Sequence, residues 1–196
     1  MTNFMYNFVW LLCKPAFAIA FPHRVYGREN VPKEGGFIIC ANHMNAIDPL
    51  FLCTQIPMKR KVHFLAKKEL FAKKFTKWFF SHMQAIPVDR GAADLSAIRS
   101  ALKSIKDGYG VGIFPQGTRS KTNERMPMLT GVSMIALRAD CPIIPCFIDG
   151  PYGAFKRVNV YFGKPIDREA FGKRADRDTM EAMTKAIEDA VWSLKK

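Results

Sequence analysis

Short apolar runs alternate with longer amphipathic segments along this chain, and that alternation limits its possible folds more than any other feature. The apolar runs cover residues 37–41, 62–66, 111–114, 142–148 and 157–162, with shorter extended segments at 23–29 and 86–88. Helical periodicity is clearest over 92–107, and residues 129–139 and 176–194 also predict helices. Strands alternating with helices predict an α/β fold, with a mixed, largely parallel sheet flanked by helices.

Chain length and cysteine usage restrict the organisation further. With 196 residues, 48% of them hydrophobic, the chain has room for one sizeable domain and not for two. Its five cysteines form no Cys-x-x-Cys pair, which favours reduced thiols over disulfides. The four histidines are dispersed and none pairs with a cysteine at ligand spacing, so we expect no metal site.

The chain is strongly basic, with 30 Lys and Arg against 17 Asp and Glu and a net charge of +13. Such a charge favours an anionic partner but does not choose among phospholipid, nucleic acid, acidic protein and phosphorylated substrate. Residues 67–80 combine lysines with aromatic residues at helical spacing, which is typical of a basic amphipathic helix. This helix either lies on an anionic membrane or buries its aromatics in the core. No recognised nucleic-acid motif accompanies it, so nucleic acid is not a predicted partner.

The amino-terminal segment, residues 1–22, is apolar but interrupted by Lys14-Pro15. Neither half approaches the ~20 continuous apolar residues of a simple spanning helix, and the segment lacks the features of a secretory signal. We predict an interfacial or re-entrant helical element, with a core helix broken at Lys14-Pro15 as the alternative. Residues 23–196 then form the second unit. The predicted location is the cytoplasmic face of the cell membrane, in peripheral or monotopic association.

His43 and Asp48 are the first candidate site residues. The apolar run 37–41 leads into His43, and Asp48-Pro49 has the pattern of a helix start. An imidazole at a strand end can act as a base when a carboxylate fixes its tautomer and stabilises its positive charge. The alternative is that Asp48 only caps a helix and His43 is a packed loop residue.

Three further clusters follow or adjoin predicted strands, at residues 86–90, 114–120 and 141–145. We expect them to converge with His43 at one edge of the sheet. The backbone amides of Gly117 and Thr118 could approach an oxygen anion, and the guanidinium groups of Arg90 and Arg119 suit phosphate. Taken singly, Arg90 could instead pair with Asp89, and Arg119 could be a solvated loop residue.

Together these blocks carry a resemblance to a known family. Asn42-His43 with Asp48 looks like a His-x4-Asp signature, and Val88-Asp89-Arg90 is similar to the second family block. Phe114 to Ser120 is similar to the third, and Ile144-Pro145 to the fourth. In this order, the four blocks resemble the glycerolipid acyltransferase family, in particular its 1-acyl-sn-glycerol-3-phosphate acyltransferases.

The resemblance implies an enzyme that transfers a fatty acyl group to the free sn-2 hydroxyl of lysophosphatidic acid, forming phosphatidic acid in phospholipid synthesis. The donor would be acyl-CoA or acyl carrier protein, as a co-substrate, with no further cofactor. His43 would be the general base and Asp48 its orienting acid, without an acyl-enzyme intermediate. The family's phosphate-binding residues correspond to Arg90, Arg119 and Lys67.

Gln116, Gly117 and Thr118 correspond to the block that positions the substrate or the oxyanion. The family usually carries a glutamate where this chain has Gln116, and an amide cannot hold a charge or a transferable proton. We therefore expect Gln116 to act in positioning and not in acid-base chemistry. Cys40 lies close to His43 and stays a candidate nucleophile.

Alternative functions stay open at this point. One is an acyltransferase acting on another lysophospholipid or on glycerol 3-phosphate. The other is a non-catalytic basic protein that binds membranes or nucleic acid.

Overall fold

The computed structural model describes residues 2–89, 94–120, 122–153, 155–172 and 175–196. Within them, seven strands form one sheet: β1 His23–Tyr26, β2 Phe37–Ala41, β3 Val62–Lys67, β4 Ile86–Val88, β5 Gly110–Ile113, β6 Ile143–Asp149 and β7 Val158–Phe162. Their order is β1-β7-β6-β2-β5-β3-β4, and only β6 and β7 pair antiparallel. This mixed, largely parallel sheet confirms the predicted fold class.

The helices of the described chain flank that sheet. They are α1 Thr2–Ala20, α2 Asp48–Gln55, α3 Lys74–His82, α4 Leu95–Lys106, α5 Gly131–Arg138 and α6 Arg177–Trp192. One apolar core joins α4, α5 and α6 to one face of the sheet, and a second joins α1 and α2 to the other. The central strand β2 is buried along its whole length and supplies side chains to both cores. A strand covered on both faces needs a continuous apolar run, which is the pattern of residues 37–41.

The direction of the strands decides which loops meet. Strands β2, β3, β4, β5 and β6 run parallel to one another, so their carboxyl ends lie at the same edge of the sheet. Gly112 in β5 permits the ring of Phe64 to lie across it, since an added Cβ would come within 2.2 Å of that ring. This close approach brings the apolar side chains of neighbouring strands together below the carboxyl edge.

Two predicted elements differ from those observed. The amino-terminal segment is one helix, α1, that continues through Pro15, so the alternative of a core helix broken at Lys14-Pro15 is wrong. Pro15 removes one helical hydrogen bond, but it lies on an exposed face together with Leu11, whose carbonyl loses that donor. The element 1–22 as a separate membrane-associated unit stays a prediction. Across the described residues, no helix is long and apolar enough to cross a membrane.

The predicted basic helix over 67–80 is also wrong in extent. Strand β3 extends through Lys67, a 3-10 turn covers Lys68–Phe71, and the helix proper is α3. Pairing of Lys67 with Val88 holds that residue in the sheet, which helical periodicity alone does not reveal. Helix α4 also begins later than predicted, because the Asp94 carboxylate accepts hydrogen bonds from the amides of Ser96 and Ala97 and caps it there.

His63 in β3 makes the folding stability depend on pH. Its side chain is buried, with Nδ1 3.1 Å from Ser104 Oγ and the ring packed on Tyr109. Burial lowers its pKa below that of the unfolded chain, about 6.5. The stability that the neutral His63 gives to the folded protein is therefore complete above about pH 6.5. It is lost as pH falls towards the folded pKa, by at most about 1.4 kcal/mol per pH unit.

We expect the wild-type protein to lose more unfolding free energy between pH 7.5 and 5.5 than the His63→Gln variant. Urea unfolding at both pH values measures the difference, and the carboxylates contribute equally to both proteins. Equal losses in the two proteins would show that His63 titrates alike when folded and unfolded.

Candidate active site

His43 and Asp48 form a close pair at the carboxyl edge of the sheet. His43 follows the end of β2 by two residues, and its Nδ1 lies 2.7 Å from Asp48 Oδ2. The same oxygen accepts hydrogen bonds from the amides of Met44 and Asn45, at 2.7 and 2.8 Å. Asp48 is fully buried, whereas 12% of the His43 side chain is exposed. A neutral imidazole that donates from Nδ1 carries its lone pair on Nε2, which is then free to accept a proton.

The loop that follows β5 fixes His43 from a second direction. The Gln116 side-chain oxygen accepts a hydrogen bond from the His43 amide, and the Ser120 amide donates to the His43 carbonyl, both at 2.8 Å. The Phe114 ring stacks on the imidazole with centroids 4.2 Å apart and planes 22° from parallel. Backbone and ring of His43 are thus both held by residues 114–120.

The Gln116 side chain links the loop after β5 to the backbone of His43. It is buried, its Oε1 is bound to the His43 amide, and its Nε2 has no hydrogen-bond partner among the described residues. Its evident action is on the backbone of His43. Direct contact with a substrate stays a prediction.

Gly117 provides the turn after Gln116. Its φ of +69° lies in the left-handed region, and an added Cβ would come within 2.6 Å of Leu129. The Gly117 amide donates to the Phe114 carbonyl at 3.1 Å, so it is engaged in the turn and is not aimed at an oxyanion. Thr118, at the next position, is the better candidate for an amide donor.

A cavity of about 810 Å³ opens beside His43. Its wall is mostly apolar and includes Phe64, Leu65, Phe79, Val88, Ile98 and Ile135. Three polar residues predicted for the site, Lys67, Thr118 and Arg119, also line it. An apolar space that meets a base and two cations can hold a molecule with a long apolar part and an anionic end.

The predicted phosphate-binding residues are placed as follows. Arg119 is exposed, and Lys67 lies at the end of β3 with its Nζ 3.0 Å from Glu69 Oε1. This ion pair is largely exposed, so it does not prevent Lys67 from turning towards an anion. Arg90 lies outside the described residues, although Val88 and Asp89 just before it line the cavity.

One predicted cluster does not reach this edge. Residues 141–145 enter β6 at its amino end, where Ile143 pairs with Ile38 near the beginning of β2. Ile144 and Pro145 pair with the middle of β2. The prediction that this block converges with His43 is therefore wrong, and its residues support the central strands.

Sequence reasoning missed residues that hold the site together. The Asn42 side chain makes two hydrogen bonds with the backbone of Ile148, which joins the end of β6 to the His43 loop. Phe114 was noted only as the first residue of a block, and its stacking on His43 depends on a contact distant in sequence. The sequence signal that could have identified Asn42 and Phe114 is that each is a polar or aromatic residue directly beside the end of a strand.

The cysteines near the site are poor nucleophiles. Cys40 is fully buried, and burial raises the pKa of its thiol far above the usual range. Cys53 lines the cavity, but burial raises its thiol pKa to about 12. Because the thiolate is the reactive form, neither residue is suited to carry an acyl group at neutral pH. The described residues contain no group of three His, Cys, Asp or Glu side chains that could hold a metal ion.

An α/β sheet with a His-Asp pair beside a mostly apolar cavity fits an enzyme that activates a hydroxyl towards a partner with an apolar chain. Sequence comparison is more specific. The model of a family described as "Acyltransferase" matches residues 23–149, and the chain belongs to this family of acyl-transferring enzymes.

Named relatives agree with that assignment. The chain is 32% identical over 196 residues to a 1-acyl-sn-glycerol-3-phosphate acyltransferase of Bacillus subtilis, covering 97% of each protein. It is 28% identical to the enzyme of the same name from Streptococcus pneumoniae, covering 77% of this chain and 58% of that one.

A solved structure has the same fold. It is the crystal structure of the 1-acyl-sn-glycerophosphate (LPA) acyltransferase PlsC from Thermotoga maritima, with a TM-score of 0.74 and 23% sequence identity. The match covers 96% of this chain and 79% of that chain. The predicted class of enzyme is confirmed, and the alternative of a non-catalytic basic protein is wrong.

Proposed function

We propose that this acyltransferase transfers a fatty acyl group from acyl-CoA or acyl carrier protein to the sn-2 hydroxyl of lysophosphatidic acid, forming phosphatidic acid in phospholipid synthesis. The observation that carries the proposal is the cavity, which combines the base His43, an apolar wall and the cations Lys67 and Arg119. The named activity of the Bacillus subtilis relative, matched over nearly its whole length, supports the same acceptor.

The chemistry needs one base and no covalent enzyme intermediate. Nε2 of His43 takes the proton from the acceptor hydroxyl as the oxygen attacks the thioester carbonyl. The resulting tetrahedral intermediate collapses, the carbon-sulfur bond breaks, and the thiolate leaves with the proton returned from the imidazolium. Asp48 stabilises the imidazolium in a site where Oδ2 is already held by two backbone amides. The products are an ester and a free thiol.

The cations at the cavity would hold the acceptor's phosphate. Arg119 offers a planar fork that can bind two phosphate oxygens, and Lys67 adds a point charge. Arg90 belongs to the same proposal, on the strength of the sequence resemblance. Thr118 would donate its amide to the developing oxyanion.

The substrate is proposed to lie in a membrane that contains anionic lipid. The protein would associate with the cytoplasmic face of the cell membrane, peripherally or monotopically. Large apolar side chains are exposed on α1 and around α3: Phe4, Phe8, Leu11, Leu12, Ile19, Leu70, Phe75 and Trp78. The two helices contact each other, and Lys73, Lys74 and Lys77 are exposed around α3. Apolar groups surrounded by lysines suit an interface with anionic headgroups.

Cosedimentation with vesicles tests the membrane association. Each lysine near an anionic surface contributes about 1 kcal/mol, so we expect the triple substitution of Lys73, Lys74 and Lys77 by glutamine to weaken partitioning about a hundredfold. Replacement of Lys103, Lys106 and Lys185 by glutamine, on other helices, is the control with the same charge change. Equal weakening by both triple variants would show that net charge alone governs binding.

A thioester assay tests the function itself. Purified protein is supplied with lysophosphatidic acid and either acyl-CoA or acyl carrier protein, and both free thiol and phosphatidic acid are measured. We expect equal amounts of the two products with at least one donor. Thiol release that requires glycerol 3-phosphate or another lysophospholipid would replace the proposed acceptor, and no release with any acceptor would contradict the proposal.

The Gln116→Glu variant is expected to retain substantial activity, with an altered Michaelis constant. A glutamate oxygen can accept the hydrogen bond from the His43 amide, and the amide nitrogen that it replaces has no described partner. The Gln116→Leu variant leaves the His43 amide unpaired, which costs about 1–3 kcal/mol, and should be about ten- to a hundredfold slower. Steady-state kinetics of both variants check this, and a complete loss in Gln116→Glu would contradict it.

A further inference from the structure

Tyr152 is brought next to the His43-Asp48 pair by the end of β6. Asn42, the residue before His43, donates to the Ile148 carbonyl at 2.9 Å and accepts from the Ile148 amide at 2.7 Å. These two bonds tie β6 to the His43 loop. The chain reaches Tyr152 three residues after β6 ends at Asp149, at the edge of the sheet that carries the site.

Aromatic packing fixes where the Tyr152 side chain lies. Its ring makes edge contacts with Phe51 and Phe21, with centroids 5.7 and 5.3 Å apart. Phe51 lies three residues after Asp48 in α2, so both residues occupy the same face of that helix. A ring that packs on Phe51 therefore lies alongside the Asp48 carboxylate.

Two polar atoms at this contact are buried and unsatisfied. Within the described parts of the chain, the Tyr152 hydroxyl has no hydrogen-bond partner, and neither has Asp48 Oδ1. The other carboxylate oxygen, Oδ2, has three donors in His43 Nδ1 and the amides of Met44 and Asn45. Buried polar atoms are rarely left unpaired, and a hydroxyl beside a free carboxylate oxygen is a matching donor and acceptor.

The electrostatics agree with this contact. Burial raises the pKa of Tyr152 far above the usual range, and the charge of Asp48 raises it further. The hydroxyl therefore keeps its proton at neutral pH and can act only as a donor to the carboxylate. Burial also raises the pKa of Cys146 in β6, and the charge of the nearby Asp48 carboxylate adds to that shift.

We propose that the Tyr152 hydroxyl donates a hydrogen bond to Asp48 Oδ1 during turnover and thereby acts as a positioning residue for His43. This inference rests on the proposed role of His43 as the base. With Oδ2 held by the loop amides and Oδ1 held by Tyr152, the carboxylate cannot rotate away as the imidazole gains its charge. Tyr152 acts through Asp48 and does not touch the substrate.

The Tyr152→Phe variant isolates the hydroxyl, because the ring that packs on Phe21 and Phe51 is retained. A hydrogen bond to a charged group corresponds to about ten- to a hundredfold in rate, so we expect kcat to fall by that factor. Both Michaelis constants should stay within about twofold, since the substrate contacts are unchanged. The melting temperature should change little, because the ring packing is retained and the described residues give the hydroxyl no hydrogen bond of ordinary geometry in the resting protein.

Tyr26→Phe is the matched control. Tyr26 ends β1, which runs opposite to β2, and its ring stacks on Tyr161 at the far edge of the sheet. We expect it to retain wild-type kcat. A Tyr152→Phe enzyme with the kcat of the Tyr26→Phe enzyme would overturn the proposal.

A second readout needs no substrate and is therefore independent of the proposed reaction. The proton between His43 Nδ1 and Asp48 should give a downfield proton NMR resonance, assigned by its loss in His43→Ala. We expect this resonance to move in Tyr152→Phe and to stay in place in Tyr26→Phe. If it does not move, Tyr152 does not act on the pair, even if the enzyme proves to use another acceptor.

Discussion

Replacement of His43 by alanine is expected to lower kcat with lysophosphatidic acid by about 10²- to 10⁴-fold. The His43 imidazole lines the cavity, and because Asp48 holds its Nδ1, Nε2 is the nitrogen left to act as the base. In the proposed reaction, its loss leaves proton removal from the hydroxyl to water, so the attack on the thioester proceeds without a base. The Michaelis constants should change little, because Lys67, Arg119 and the apolar wall stay in place.

The measurement is thiol release at saturating donor and acceptor, with vesicle binding followed in parallel. His63→Gln is the matched histidine control at neutral pH, since His63 is buried against Ser104 away from the cavity. His43→Ala should bind vesicles as the wild type does and release thiol far more slowly. Mass spectrometry that detects an acylated Cys53 or Cys40 in the wild type would contradict direct transfer.

The central strands could be predicted because burial on both faces leaves a clear pattern. The prediction for β2 agrees residue for residue with Phe37–Ala41. The prediction for β3 lacked only the last residue of the strand, Lys67. The contact between His43 and Asp48 was also predictable, since a strand end followed by a helix start restricts the six residues 42–47 to a short loop. In both cases the information is local.

Other features depend on contacts between distant residues. Nothing near Gln116 indicates that its side chain reaches the amide of His43, which lies 73 positions away. The block at 141–145 was placed at the wrong edge because it precedes β6, whereas the loops after β2 and β5 follow their strands. The direction of a strand in the sheet, and not its sequence, decides which edge of the sheet its flanking loops reach. Tyr152 gave no sequence signal, because its ring packs on Phe21, just after α1, and on Phe51 in α2.

Asp48→Asn is expected to lower kcat about ten- to a hundredfold, although it changes the side chain by one group. The hydrogen bonds from His43 Nδ1 and from the amides of Met44 and Asn45 all go to Asp48 Oδ2. An asparagine with its oxygen in that place still accepts all three, so His43 keeps its tautomer, but the imidazolium loses the negative charge that stabilises it. A hydrogen bond to a charged group contributes about 1.5–3 kcal/mol, which corresponds to that factor.

The Asp48→Ala variant separates the charge of Asp48 from its hydrogen bonds. Alanine removes the acceptor of three hydrogen bonds, so it should lower both kcat and the melting temperature. Asparagine should lower kcat by less and leave the melting temperature closer to that of the wild type, because the loop amides and His43 keep their acceptor. Kinetics and thermal unfolding of the two variants make the comparison. An Asp48→Asn enzyme with nearly wild-type kcat would mean that the negative charge of Asp48 takes no part in turnover and that the side chain acts only as a hydrogen-bond acceptor.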